Sequence, residues 1–234
     1  MKPLLVLAAF PVVLMGWASC SHSGTGHAAL PDPRAVDKSV PEYKNPFHPS
    51  TYAHFVARKD YRKTYDVYKD DTLLNRQPKK SRKIFVCLDE QRGQYLVDGL
   101  VAMDFPLSSG VKAYPTKTGD YAVISKKEDH TSNLYGKMYD AEGKCINYNA
   151  ESTDPIPEGG RFDGSPMPYW QRLTNAGLGL HVGEGRRHPV SHGCVRLPRN
   201  VAEILYRQTS IGTPVTIRKT PLPVPEAQKV PAVQ

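Results

Sequence analysis

The sequence predicts a mainly β domain with one short C-terminal helix, flanked by a disordered tether on one side and a disordered tail on the other. Three observations carry this. Short runs rich in β-branched and aromatic residues recur after Lys83, an Asp-Gly pair separates two of them, and apolar residues take up clear helical spacing only near the end of the domain.

The runs Ile84 to Leu88, Gln94 to Val97, Leu100 to Leu107, Tyr121 to Ser125 and Leu178 to Val182 read as strands. Asp98-Gly99 reads as a two-residue hairpin turn, because type I′ geometry needs positive φ at both central positions and this pair tolerates it. Gly110, Pro115, Gly119 and the stretch Pro155 to Pro168 mark longer loops. Pro198 suits a first helical turn, and Val201, Ile204, Leu205 and Gln208 follow at near-helical spacing. Pro214 to Arg218 closes the domain as a last strand.

The flanks have a different composition. Lys2, the apolar run Leu4 to Met15 and the small residues before Cys20 read as a signal peptide over 1–20, so the chain is expected to be exported to the cell envelope, either periplasmic or membrane-anchored. The run contains Pro11 and is shorter than the roughly 20 apolar residues a membrane span needs. Cys20 resembles the lipidated cysteine of a lipobox and would anchor the chain to the membrane. Trp17 stands where an aliphatic residue is usual, which leaves cleavage near Ala28 as the alternative. Residues 21–50, rich in Ser, Gly, His and Pro, read as a flexible tether, and 51–82 as an extension either helical or continuing the tether. The folded domain is expected over 83–219, and prolines at 221, 223, 225 and 231 predict a disordered tail over 220–234.

A formal net charge of +8 favours anionic surroundings. Nucleic acid is not expected as a partner, because Lys79, Lys80, Arg82 and Lys83 are the one tight basic run and no aromatics interleave with it. Export places Cys87, Cys145 and Cys194 in a compartment where disulfides persist. Spacing does not decide between a Cys87–Cys145 pair and simple burial of Cys87.

Chemistry concentrates between Gly177 and Arg196. A nucleophilic cysteine needs a base, oxyanion donors and access, and this segment offers His181, His188 and His192 ahead of Cys194, with backbone amides at Gly193 and Cys194. His181, His188, His192 and Cys194 also suit zinc by ligand type. Structural zinc ligands come as two spaced pairs, however, and His192-Gly193-Cys194 is too tight for that, so no metal is expected.

Ser191-His192-Gly193-Cys194-Val195-Arg196-Leu197, with His181 upstream, resembles the signature of the L,D-transpeptidase catalytic domain. The resemblance extends through Met167-Pro168-Tyr169-Trp170 and Gly179-Leu180-His181. It also takes in Asp89, Gln91, the hairpin at Gly99, Pro106 to Gly110 and Tyr114 to Gly119, and so covers about Lys83 to Lys219. The interval from His181 to Cys194 is short, the glycine pattern after Pro115 is loose, and Val182 stands where many members carry Gly. These departures bear on substrate preference more than on reaction type.

The resemblance implies an L,D-transpeptidase-type β-sandwich and a cysteine acyltransferase acting on peptidoglycan stem peptides, with no metal or organic cofactor required. It implies Cys194 as nucleophile and His181 as base, with His192 and the backbone of Gly193 polarising the substrate carbonyl. A nearby imidazolium would then lower the Cys194 pKa. Arg196 either meets a substrate carboxylate or stiffens the loop through a salt bridge. Tyr169 and Trp170 either line the donor groove or form a half-buried aromatic edge, and Ser191 tightens the loop. Release of D-alanine from a tetrapeptide and transfer to an amine follow, with water as acceptor giving an L,D-carboxypeptidase. A wall-binding lipoprotein that kept the fold without activity, or a zinc-stabilised module, are the competing readings.

Overall fold

The structure is a computed structural model that describes residues 29–77 and 81–232, so the expected signal peptide, Cys20 and the first residues of the tether lie outside the described residues. Ahead of the domain come α1 (Tyr52–Ala57), β1 (Tyr68–Lys69) and α2 (Asp71–Leu74). The domain continues with β2 (Arg82–Cys87), β3 (Arg92–Val97), β4 (Leu100–Pro106), β5 (Gly119–Ala122) and β6 (Ser125–Lys127). Then follow β7 (Thr131–Tyr139), β8 (Cys145–Glu151), β9 (Arg161–Pro166), β10 (Trp170–Arg172), β11 (Gly179–Val182) and β12 (Val195–Leu197). α3 (Arg199–Gln208) and β13 (Pro214–Arg218) close it.

Strands dominate, as the sequence predicts. β1-β4-β3-β2-β13-β5 form one sheet, β12-β11-β10-β6 a second, and β8-β7-β9 a third. Asp98 (φ 50°) and Gly99 (φ 79°) both hold left-handed backbone between β3 and β4, which is the type I′ geometry expected of that pair. β13 enters parallel to β2, pairing Val215 with Ile84 and Ile217 with Val86.

The core sits between the first two sheets and α3. Ile84, Val86, Tyr95, Phe105, Val215 and Ile217 meet Leu180, Val195 and Leu197 from the second sheet and Val201, Ala202 and Leu205 from the helix. Burying such side chains contributes roughly 1.5–3 kcal/mol each. Gly93 is required here: a Cβ would lie 2.3 Å from the Phe105 ring, so the larger side chain occupies the place the glycine leaves.

Several expectations need correction. The stretch 125–166 holds β6 to β9, including β9 inside the segment read as a proline-rich loop. β7 to β9 were illegible because the third sheet, which they form, is largely exposed, and Ile146 (50%) and Tyr148 (68%) face water. Disorder does not describe the later part of the tether. Phe47 is fully buried and bridges Pro231, Arg34 pairs with Glu90 at 2.7 Å, and Tyr43 donates to the Ala57 carbonyl at 2.8 Å. Nor does disorder describe the tail as far as residue 232. Val224 is buried, and the Gln228 amide accepts from Val101 N at 2.8 Å and donates to Val101 O at 2.9 Å, completing the edge of β4 where β1 no longer pairs. Proline prevents regular structure but not docking through side chains. Cys87, Cys145 and Cys194 are all free thiols.

The extension 51–77 is held by buried charge. Asp104, with no exposed surface, receives Arg92 Nε, Tyr52 Oη (2.7 Å), Tyr61 Oη (3.0 Å) and Gln94 Nε2 (3.0 Å). Such a carboxylate is tolerated in the interior because donors replace its lost water, and removing one partner costs about 3–5 kcal/mol. Burial and the neighbouring carboxylate hold the Tyr52 and Tyr61 phenols protonated.

Candidate active site

β11 and β12 run parallel, pairing Leu180 with Val195, His181 with Arg196 and Val182 with Leu197. Leu180, Val195 and Leu197 belong to the core, so strand alternation turns His181 and Arg196 to the opposite face. Continued one residue back, the same alternation brings Cys194 to that face as well. Residues 13 positions apart in sequence thus share one surface because a loop returns the chain parallel to itself.

His181 is buried (5% exposed), and its Nδ1 lies 2.7 Å from the carbonyl oxygen of Val182. A carbonyl only accepts, so Nδ1 carries the hydrogen and Nε2 is left with its lone pair in the neutral ring. Burial depresses the imidazole pKa to about 4; the Val182 carbonyl opposes the shift, and Arg196 and His130 add to it. The Trp170 ring lies 6.0 Å from that of His181, and His130 stacks on the indole at 5.0 Å.

The Cys194 thiol donates to the Gly177 carbonyl at 3.3 Å. Burial raises its pKa, against which the Gly179 amide and Arg196 pull in the other direction. This corrects the expectation of a depressed cysteine pKa. The imidazole is neutral at physiological pH, so no imidazolium is present to favour the thiolate.

The turn before Cys194 is closed by its own side chains. Ser191 Oγ donates to the Cys194 carbonyl at 2.5 Å and accepts from Gly193 N at 3.1 Å, while Thr116 Oγ1 donates to the Gly193 carbonyl at 2.6 Å and accepts from Gly110 N at 2.8 Å. Gly193 has φ 111°, a conformation that L side chains rarely adopt. A Cβ on Gly110 would lie 2.0 Å from the Tyr114 carbonyl and 2.8 Å from Gly193 Cα, so the loop after β4 and the turn before Cys194 touch backbone to backbone. The Gly193 amide is occupied by Ser191 and does not point freely into the site.

Of the other expected site residues, His192 stacks on Tyr135 (ring centroids 4.3 Å) and also packs against Tyr114 (4.8 Å), whose ring meets that of Tyr135 edge-on. Arg196 lays its aliphatic stem over Gly183, where an added Cβ would meet Cβ, Cγ and Cδ at 2.8 Å. No ion pair to its guanidinium is found among the described residues. Trp170 is buried beside His181, whereas Tyr169 (φ 56°) packs against Tyr206 and Arg199. His188 Nδ1 meets the Arg186 carbonyl at 2.9 Å. With His192 stacked and His188 turned to backbone, the four-ligand zinc set does not converge, and no metal-holding cluster of three or more such residues occurs among the described residues.

Sequence reasoning missed Tyr135 and His130. Both come from the region of β7, whose polar sequence carried no strand signal. Tyr135 lies near enough to Cys194 that a thiolate there would raise its pKa, a smaller effect than burial.

A profile of the L,D-transpeptidase catalytic domain matches residues 81–217. The chain is 31% identical over 121 residues to a protein named probable L,D-transpeptidase 3 of Mycobacterium tuberculosis, a stretch that is 49% of this chain and 38% of that protein. The chain thus spans well under two thirds of that relative's length. Among solved structures it resembles an L,D-transpeptidase from Mycobacterium smegmatis (22% identity, 58% of each chain, TM-score 0.45). It also resembles the catalytic domain of the E. faecium L,D-transpeptidase (28% identity, 59% of this chain and 98% of that one, TM-score 0.44).

Proposed function

The chain belongs to the L,D-transpeptidase catalytic-domain family, and from that premise we propose that it is an exported cysteine acyltransferase that cross-links peptidoglycan stem peptides. One observation supports this most: Cys194 and His181 share a sheet face, and the imidazole is fixed by Val182 in the tautomer that leaves Nε2 able to take a proton. Zinc or inactive-binder readings give no reason for that tautomer to be fixed beside a free thiol.

The reaction starts from a neutral pair. The thiol leaves the Gly177 carbonyl, passes its proton to His181 Nε2, and Sγ attacks the carbonyl carbon of the third residue of a tetrapeptide stem. Negative charge develops on the carbonyl oxygen, which the Cys194 amide and the turn ordered by Ser191 and Gly193 are assigned to stabilise, with His192 beside them. Collapse breaks the peptide bond, the imidazolium protonates the departing D-alanine amine, and a thioester remains on Cys194. An acceptor amine then attacks, gives its proton to His181 and carries the acyl group away as the thiol is restored. Water in place of the amine gives the carboxypeptidase outcome, and a lipoprotein amine attaches protein to the wall.

Arg196 is assigned to a substrate carboxylate, because its charge acts on the Cys194 thiol and its guanidinium has no ion pair among the described residues. Trp170 is assigned to the floor of the donor groove. Export through the segment 1–20, with lipid on Cys20 or cleavage further on, would bring the domain to its substrate. Carbapenem β-lactams present a strained carbonyl to the same thiol and should acylate it.

The test is mass analysis of disaccharide-tetrapeptide fragments incubated with the purified mature chain. Release of D-alanine and dimers linked between third residues are expected, and both should vanish in Cys194→Ala. Equal product with Cys194→Ala would contradict the reading.

A further inference from the structure

The loop between β11 and β12 carries Ser191, His192 and Gly193 to Cys194, and its two ends are tied to the chain that follows β4. Arg187 N donates to the Leu107 carbonyl at 3.0 Å and Arg186 N to Ser108 Oγ at 2.8 Å, while Val190 N (2.9 Å) and Ser191 N (3.1 Å) both reach the Ser109 carbonyl. One side chain ties this loop to a third place. Arg187 Nη1 donates to the carbonyls of Tyr61 (3.1 Å) and Thr64 (3.0 Å), and Nη2 donates to the carbonyl of Glu90 (3.0 Å).

The carbonyl of Thr64 is shared. Arg92 Nη1, from the floor of the first sheet, donates to it at 3.1 Å, and Arg92 Nη2 donates to the Asp66 carbonyl at 2.9 Å. Segment 61–66 is therefore held from below by a fully buried arginine and from above by the arginine of the reactive loop. Tyr65 adds a contact of its own, donating from Oη to the Arg186 carbonyl at 3.2 Å. Arg187 itself has φ 57°, a left-handed backbone that a non-glycine residue keeps only where its surroundings fix it. Three carbonyls gathered by one planar guanidinium provide such surroundings.

We propose that Arg187 is a positioning residue, which uses segment 61–66 ahead of the domain as a brace to set the loop that delivers Ser191, His192 and Gly193 to Cys194. The proposal rests on the acyltransferase reading for its kinetic consequence but not for its structural one. The extension is then a working part of the site and not a spacer, and the domain matched by the family profile, which starts at residue 81, lacks this brace.

The experiment compares Arg187→Gly, Arg187→Lys and Tyr65→Phe in the full mature chain, at a temperature where circular dichroism shows each folded. Glycine keeps the left-handed backbone while removing the guanidinium. Three readouts apply: the pH profile of Cys194 alkylation by iodoacetamide, hydrogen exchange of amides 183–193, and the saturating rate of Cys194 acylation by a carbapenem. In Arg187→Gly the alkylation profile should shift, exchange in the loop should quicken, and the acylation rate should fall about tenfold or more with the half-saturating concentration little changed, since small misplacements of reacting groups cost rate more than binding. Arg187→Lys should recover part of the rate. Tyr65→Phe, at an exposed residue, should change all three in the same direction by a smaller factor and decides the matter if Arg187→Gly does not fold. Alkylation and exchange do not depend on any action on peptidoglycan, so they stand even if the acyltransferase reading fails. A wild-type alkylation profile and wild-type loop exchange in the folded variants overturn the proposal.

Discussion

The Nδ1 of His181 lies 2.7 Å from the carbonyl oxygen of the next residue, Val182, and this contact determines which nitrogen of the ring is free to act as a base. On this account His181→Ala should slow acylation of Cys194 by roughly 10²–10⁴-fold, the usual loss with a general base. Single-turnover kinetics with a carbapenem measures it. A loss below about threefold would assign the base elsewhere.

The depressed pKa of His181 gives a pH dependence with a definite sign. Its folded value of about 4 lies below the ordinary 6.5, so the unfolded chain binds more protons between those values and stability should rise with pH through that window. The effect is fully present above about 6.5 and lost toward pH 4, with a span on the order of 3 kcal/mol. Activity should likewise hold down to about pH 5, below the range where an ordinary histidine would already be protonated. Urea melts and acylation rates from pH 4 to 8 test both, and an acid limb centred near 6.5 would contradict them.

Gly183 allows the stem of Arg196 to lie across it. Gly183→Ala puts a methyl 2.8 Å from three carbons of that stem and should displace the guanidinium, so it should weaken substrate binding in the same direction as Arg196→Ala. Steady-state kinetics on tetrapeptide fragments should show KM rising in both. Arg196→Lys separates the two roles. A loss near that of alanine marks bidentate pairing with a carboxylate, which an ammonium cannot reproduce.

Gln228 lies far along the chain from the site, yet its amide satisfies both backbone groups of Val101. Gln228→Ala should cost about 1–3 kcal/mol, because it leaves a buried donor and acceptor unpaired. Thermal melts measure this. Acylation at a temperature where the variant is folded should stay unchanged.

The legible part of the fold was the part with a buried face. β2, β3, β4 and β13 carry core residues such as Ile84, Val86, Tyr95, Phe105, Val215 and Ile217, and Asp98-Gly99 marks its own turn. β7, β8 and β9 escaped notice because a largely exposed sheet can be built from polar residues, and its pairing through Gly136 and Gly164 leaves little pattern to read. At the site, the run from Ser191 to Cys194 announced itself. Tyr135 and His130 did not, since they reach His192 and Trp170 through tertiary packing from within and just before β7. The pKa direction of Cys194 was misjudged for a related reason: burial of His181 and Cys194 depends on neighbours such as Trp170 that spacing alone does not bring together. The tail and tether were misread because proline content speaks to helices and strands, whereas Phe47 and Gln228 dock by single side chains.

The central claim is that Cys194, with a neutral His181 as its base, is the acylated residue, and intact-protein mass spectrometry tests it most directly. The purified chain is incubated with a carbapenem at pH 6 and at pH 8, then digested to map the adduct. The account predicts a single adduct of the drug's mass on Cys194 at both pH values, forming far more slowly in His181→Ala and not at all in Cys194→Ala. No mass increase on folded protein, or an adduct mapping to Cys87 or Cys145, would contradict it.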